Sequence, residues 1–364
     1  MKALMESLPT IKMSDPIRNI ILLLLLGAGV TVSSCRGGRQ EVAGPLPVIE
    51  EILTDTASAH YIDTKAYANN RENLPIGIFG TSVDDLQVVE TLLGLDEFDN
   101  ITGEPGADGI KDFAGEHIDF FCLPPVEDRS REDMIRQIAG LFRWQDQRPP
   151  VKALVVAGDM VTMQVYEDIR DLIELGKLGI ITVNVMQAGN DKAFSYVLSN
   201  RENNRVTVGV ISTAGAFSIN AYDYLEEKTA VAFQEYAPIK GRSPEKAIHN
   251  AVTSLADQLL YNSHPRLKYI ILGAPPLQQH REIIPESITF LRNYRSDNRY
   301  IYRHLIDSGV ILIEPQKEAG IQLYRALRDE RLAAFRTTPS CVRVHSFEKP
   351  DLTKYPLLNV CINN

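Results

Sequence analysis

Two short apolar runs that end in small residues pose the first chemical question of this sequence. Ala153-Leu154-Val155-Val156-Ala157 runs into Gly158-Asp159-Met160, and Tyr269-Ile270-Ile271-Leu272 runs into Gly273-Ala274-Pro275-Pro276. Each reads as a buried parallel strand that delivers its C-terminal end to a cleft. Proton transfer there needs a side chain with an acidic or basic atom, and Gly158 and Ala274 carry none. Cys122 closes another strand, at the edge where open α/β sheets bind ligands; it reads first as a small buried core residue and second as a nucleophile. Asp84 and Asp85 open a helix, where the helix dipole stabilises carboxylates. Capping accounts for both, and binding of a cation or a basic ligand is the other reading. Asp159 reads as an N-cap at a second strand-to-helix junction. Together with Thr81, these three acids make a rim that prefers a cationic group to a carboxylate. Thr213 and Gly215 read as a turn after a strand. His280 and Arg281 read as an exposed helix start that can also meet an anion.

The elements that must position these residues alternate along the chain. Strands are expected at 75–80, 118–122, 153–157, 180–185, 206–211, 234–237, 269–273 and 310–314. Amphipathic helices are expected between them, among them 84–93, 131–144, 161–175, 217–225, 244–262, 283–294 and 315–335. Such alternation predicts parallel sheets covered on both faces and right-handed crossovers. The stretch 96–115, rich in Gly, Asp and Pro, reads as a long loop.

Six of these segments resemble the glutamate/aspartate racemase family, in the family's order, over some 250 residues from Pro75 to about Leu327. Pro75-Ile76-Gly77-Ile78-Phe79-Gly80-Thr81-Ser82 is similar to the family's opening P-I-G-[IV]-F-D-S-G. Val126 to Ser130 stands where the family has a substrate loop. Val208 to Gly215 with Ala221-Tyr222 resembles V-G-V-[IL]-x-T-x-G-T followed by A-Y, and Gly309 to Glu314 resembles the returning strand G-V-x-L-I-D. The resemblance implies two similar parallel-sheet α/β domains facing each other across a cleft, one from 75–178 plus 300–335 and one from 179–299. It also implies that the two strand ends considered first are the places of two opposed catalytic cysteines, which move a proton between the faces of an amino acid's α-carbon. Gly158 and Ala274 stand there. The departures go further: Asp159 and Met160, Pro275 and Pro276, Gly80, the Asp84-Asp85 pair, Val126-Glu127, Ala216 and Ile219 all replace residues of the family pattern. Scaffold strands persist while the reacting and clamping groups have changed, which argues that the racemase reaction is lost.

The ends of the chain speak to location. Lys12 and Arg18 precede the apolar run 20–26, and small residues then lead to Val32-Ser33-Ser34-Cys35. A basic start, a short apolar core and small residues before a cut make a secretory signal, here read as a lipoprotein signal over 1–34 with Cys35 lipidated. Residues 35–74 are expected to be a tether that becomes partly helical, and 336–364 a C-terminal tail. The expected location is the cell envelope, at the periplasmic face of the outer membrane.

Formal net charge is −9 over 364 residues. Residues 1–34 hold Lys2, Lys12 and Arg18 against Glu6 and Asp15, so the remainder carries about −10. That balance argues against nucleic acid as a partner. Seven scattered histidines and no Cys pair at ligand spacing predict no metal, and no cofactor is implied. Cys341 and Cys361 lie in one tail and can pair in an oxidising compartment. The expected function is a lipid-anchored envelope protein that binds an unknown small ligand or an envelope protein, with Thr81, Asp84, Asp85, Asp159, Thr213 and His280 as the candidate cleft residues. An enzyme with altered chemistry in the same cleft, or a solute-binding lipoprotein, is the alternative.

Overall fold

The computed structural model describes residues 46–67, 71–122, 130–145, 148–199, 206–218, 221–238, 243–334 and 339–358. The signal segment, Cys35, Cys361 and nearly all of the Val126–Ser130 loop lie outside these residues. The strands are β1 (Ile76–Gly80), β2 (His117–Cys122), β3 (Ala153–Val156), β4 (Ile181–Asn184), β5 (Val206–Ser212), β6 (Ala230–Glu235), β7 (Arg266–Leu272), β8 (Arg295–Ser296), β9 (Arg299–Tyr300), β10 (Ile306–Ile313) and β11 (Cys341–Ser346). A parallel five-stranded sheet has the order β11-β2-β1-β3-β4, and a parallel four-stranded sheet has the order β10-β7-β5-β6. β8 and β9 form a small antiparallel hairpin whose turn residues Asp297 and Asn298 take positive φ, which these two residue types tolerate best after glycine.

β1, β3 and β5 are buried along their whole length, as the continuous apolar runs require. Helices Leu86–Gly94 and Pro315–Asp329 cover one face of the first sheet with Leu92, Leu323 and Leu327. Helices Arg131–Ala139 and Asp159–Leu175 cover the other with Ile135, Ile138, Ile169 and Leu172. The second sheet is sandwiched between Pro244–Tyr261 with Ile283–Asn293 on one side and Val185–Ser199 on the other. Pro244, Pro275 and Pro315 each open a helix, where the missing N–H costs nothing and the fixed φ is already helical.

Helix Val185–Ser199 joins the two halves. Val185 and Ala188 belong to the core of the first sheet, while Met186, Ala193 and Val197 belong to that of the second. The returning helix packs against it at Gly189, where a Cβ would stand 2.8 Å from Pro315 Cγ. Only glycine allows that approach.

The sheets divide the chain differently from the expected 75–178 plus 300–335 and 179–299. β4 pairs β3 in the first sheet, and β10 pairs β7 in the second. The chain changes sheets after these two strands, because helices Val185–Ser199 and Pro315–Asp329 are the elements that cross. Two stretches expected as appendages belong to the body. Helix Pro47–Thr54, within the expected tether, buries Val48, Ile49 and Ile52 against Ile135 and Phe142. β11, within the expected tail, adds an edge strand to β2, held by Arg343 forking onto the fully buried Asp119 carboxylate at 2.7 and 2.8 Å. Arg and carboxylate planes match in that geometry. The predicted helix 217–225 is two short helices, Ala214–Ser218 and Asp223–Glu226.

Below the first sheet, Lys152 is fully buried. Its ammonium donates to the Glu116 carboxylate at 2.7 Å and to the carbonyls of Leu332 at 2.7 Å and Glu72 at 2.9 Å. Glu116 in turn accepts from the Ala334 amide at 2.8 Å. The Lys152→Met change strands a buried carboxylate and is expected to cost about 3–5 kcal/mol in urea unfolding, whereas Lys152→Met with Glu116→Gln recovers most of it. A loss below about 1 kcal/mol for the single variant would show that the pair does not tie these segments together.

Candidate functional site

The C-terminal ends of β1 and β3 in one sheet and of β5 and β7 in the other are the ends from which the candidate residues project. Helix Asp159–Leu175 touches helix Ala214–Ser218, and helix Pro275–Gln279 touches the turn Val83–Asp85, so the two halves meet there.

After β1 the chain makes a single 3-10 turn over Val83–Asp85. Ser82 is its N-cap and accepts from the Asp84 amide at 3.1 Å, while the Asp85 carboxylate reaches back to the amides of Thr81 at 2.9 Å and Ser82 at 3.0 Å. This is a reciprocal capping box. It folds the buried Asp85 carboxylate over Gly80, where a Cβ would fall 2.7 Å from Asp85 Oδ2. Thr81 is thereby turned onto Gly158, and a Cβ on Gly158 would fall 2.7 Å from Thr81 Oγ1 and 3.1 Å from its amide nitrogen. The first slot is therefore covered by the chain's own threonine. Gly158 itself is the N-cap of helix Asp159–Leu175, and Asp159 is its first residue rather than the cap.

The second slot is built in parallel. Ala274 is the N-cap of helix Pro275–Gln279 and is 1% exposed. The preceding Gly273 lies beneath the Tyr222 hydroxyl, which donates to Ser212 Oγ at 3.1 Å. A Cβ on Gly273 would fall 2.3 Å from that hydroxyl oxygen and 2.5 Å from Ser212 Oγ. Thr213, just after β5, accepts from the Ala216 amide at 3.2 Å and so caps helix Ala214–Ser218. His280 ends helix Pro275–Gln279 through its backbone amide on the Leu277 carbonyl. Arg281 pairs with Glu314 at 2.8 Å.

Asp84 lies within electrostatic reach of two tyrosines that sequence reasoning missed. Burial and then the Asp84 charge push the hydroxyls of Tyr236, from the second half, and Tyr355, from the C-terminal segment, above the usual phenol range. Tyr355 is set in place by Glu90, whose carboxylate accepts from the amides of Leu357 at 3.0 Å and Leu358 at 2.9 Å. The Tyr355 hydroxyl donates to the Val83 carbonyl at 3.4 Å, and Gln279 donates to Gln87 Oε1 at 3.0 Å across the two halves. The structure thus gathers Thr81, Asp84, Asp85 and Gly158 on one side, and places Thr213 and His280 on separate helix ends of the other. Tyr222 falls in the Ala221-Tyr222 pair of the resemblance, whereas no local spacing marks Tyr236, Tyr355 or Gln279.

Cys122 ends β2 within the core of the first sheet and is 5% exposed. Burial, and then the nearby Asp85 carboxylate, push its thiol up to about 11, against a smaller opposing effect of a hydrogen bond with Ser346. It is a thiol, not a thiolate, at neutral pH, which is the wrong state for a nucleophile. Cys341 is exposed at the start of β11, and its expected pairing with Cys361 falls outside the described residues.

With this geometry in view, comparison with solved structures finds glutamate racemases. Glutamate racemase isoform RacE1 from Bacillus anthracis aligns with a TM-score of 0.50 and 17% identity, over 78% of this chain and 91% of its own. Glutamate racemase from Francisella tularensis, in complex with D-glutamate, aligns with a TM-score of 0.48 and 18% identity, over 80% and 95%. No family model and no curated protein matches the sequence. The chain has the two-sheet α/β fold of the glutamate racemases.

The state of Cys122 is checked by iodoacetamide labelling of the native protein with peptide mapping. At pH 7.5 Cys341 is expected to label and Cys122 to stay unmodified until the protein is unfolded. Because the folded pKa is raised above that of an unfolded thiol, the contribution of this group to stability is full below about pH 8.5 and is lost as pH rises toward about 11. Rapid native labelling of Cys122 at pH 7.5 would contradict its core assignment.

Proposed function

We propose that this protein is a lipid-anchored component of the cell envelope that uses a glutamate racemase fold to bind a ligand or an envelope partner, without racemising amino acids. The observation that carries the reading is the filling of the two slots. Two-base racemisation needs a proton acceptor and a proton donor on opposite faces of the substrate. Gly158 lies under Thr81, and Ala274 is buried beside the Tyr222–Ser212 contact over Gly273. Neither side chain carries an acidic or basic atom, and a larger side chain at Gly158 displaces Thr81 and its backbone.

Two features support binding rather than altered chemistry. Asp85, a buried acid of the rim, is committed to the backbone amides of Thr81 and Ser82. Cys122, the candidate nucleophile, has its pKa moved away from the reactive range. The anchor at Cys35 rests on the signal-like sequence before it.

The catalytic half of this reading is tested by proton NMR in D2O, following the α-protons of L- and D-glutamate and L- and D-aspartate with the full chain. No washout above the buffer rate is expected, and enzyme-dependent deuteration of any of the four would refute it. The anchoring half is tested by expression in a Gram-negative host with radiolabelled palmitate. Wild type is expected in the outer-membrane fraction with label, and Cys35→Ala without label and released; an unlabelled, soluble wild type would overturn it.

A further inference from the structure

Beside the filled slots, a cavity of about 460 Å³ opens between helix Leu86–Gly94 and the segments 278–282 and 314–317. This lies within the size range of small-molecule sites, roughly 300–1,000 Å³. Its floor is made of side-chain amides. Gln87 and Gln279 are joined to each other at 3.0 Å, whereas Gln278 is 8% exposed and its Nε2 has no hydrogen-bond partner among the described residues. A buried amide end left bare is costly; Gln278 lines the cavity but its Nε2 has almost no accessible surface, so it meets a ligand atom there by a turn of the side-chain amide toward the cavity.

The walls set the charge of that ligand. Glu97 is matched by Lys317 at 2.6 Å and Glu314 by Arg281 at 2.8 Å. Glu90 accepts two backbone amides and meets no cation, Asp96 has Lys111 only at 4.0 Å, and Glu282 forms no ion pair among the described residues. Five carboxylates against two cations leave the cavity negative. We propose that it binds the amino terminus of a short peptide or an aminoacyl amide: the ammonium faces Glu282 and Glu90, and a neighbouring carbonyl accepts from Gln278 Nε2. A free amine alone leaves the amide bare, and a ligand with a carboxylate next to the amine meets a wall of its own sign. This rests on the binding reading above and names its ligand class, but its test involves no proton exchange, so the two fail separately.

The test is calorimetric titration of the full chain with trialaninamide, N-acetyl-trialaninamide and 1,4-diaminobutane. Trialaninamide is expected to saturate one site, with affinity falling as salt rises. Acetylation of its amine, or replacement by the diamine, is expected to weaken binding roughly tenfold. Gln278→Leu should abolish the advantage of trialaninamide over the diamine, and the exposed change Glu282→Gln should weaken both while leaving the thermal midpoint unchanged. The Glu282→Gln result and the comparison of ligands on wild type decide the matter even if Gln278→Leu fails to fold. No binding of trialaninamide at millimolar concentration, equal affinity for the acetylated form, or unchanged binding in Glu282→Gln would each overturn the proposal.

Discussion

The carboxylate of Asp85 folded onto Gly80 is the contact on which the middle of this molecule depends. By accepting the amides of Thr81 and Ser82 it stops β1 and starts helix Leu86–Gly94 within a single turn. Thr81 is then aimed across the sheet at Gly158. The same helix start fixes Gln87, which meets Gln279 of the other half, and Glu90, which grips the C-terminal segment and with it Tyr355. One buried acid thereby sets a slot cover, a bridge between the halves and the seat of a distant tyrosine. Its burial is tolerated because a carboxylate that accepts two backbone N–H groups recovers much of its lost hydration.

Much of the fold was legible because parallel strands buried on both faces read as continuous apolar runs, and β1, β3, the stretch Val208–Ile211 of β5 and the stretch Tyr269–Leu272 of β7 are such runs. β11 was not. Cys341-Val342-Arg343-Val344-His345-Ser346 alternates apolar and polar residues at an edge, and its docking rests on Arg343 meeting Asp119, a pairing over more than 200 residues that leaves no local mark. The change of sheets after β4 and β10 was equally hidden, because it depends on which faces of helices Val185–Ser199 and Pro315–Asp329 meet at Gly189 and Pro315. In the candidate site, a capping role for Asp85 was readable from its place at a helix start. The covering roles of Tyr222 and Tyr355 were not, since each acts through a partner far away in sequence.

Three glycines share one logic. Gly80, Gly158 and Gly273 each lie where a strand gives way to a turn or helix, and each is roofed by a side chain closer than a Cβ tolerates: Asp85, Thr81, and the Tyr222–Ser212 pair. A glycine at a strand end normally leaves space. Here neighbouring side chains occupy it, so close packing is kept.

The ground between the sheets brings tyrosine hydroxyls close to the acidic turn Val83–Asp85. Burial, and then the Asp84 charge, raise the Tyr236 and Tyr355 hydroxyls above the usual phenol range. This ground adjoins the acidic cavity through Gln279, which lines the cavity and bonds Gln87, and through Glu90, which lines it and holds the amides of Leu357 and Leu358 beside Tyr355. The edge of the cavity and the bridge between the two halves therefore share one side chain, Gln279.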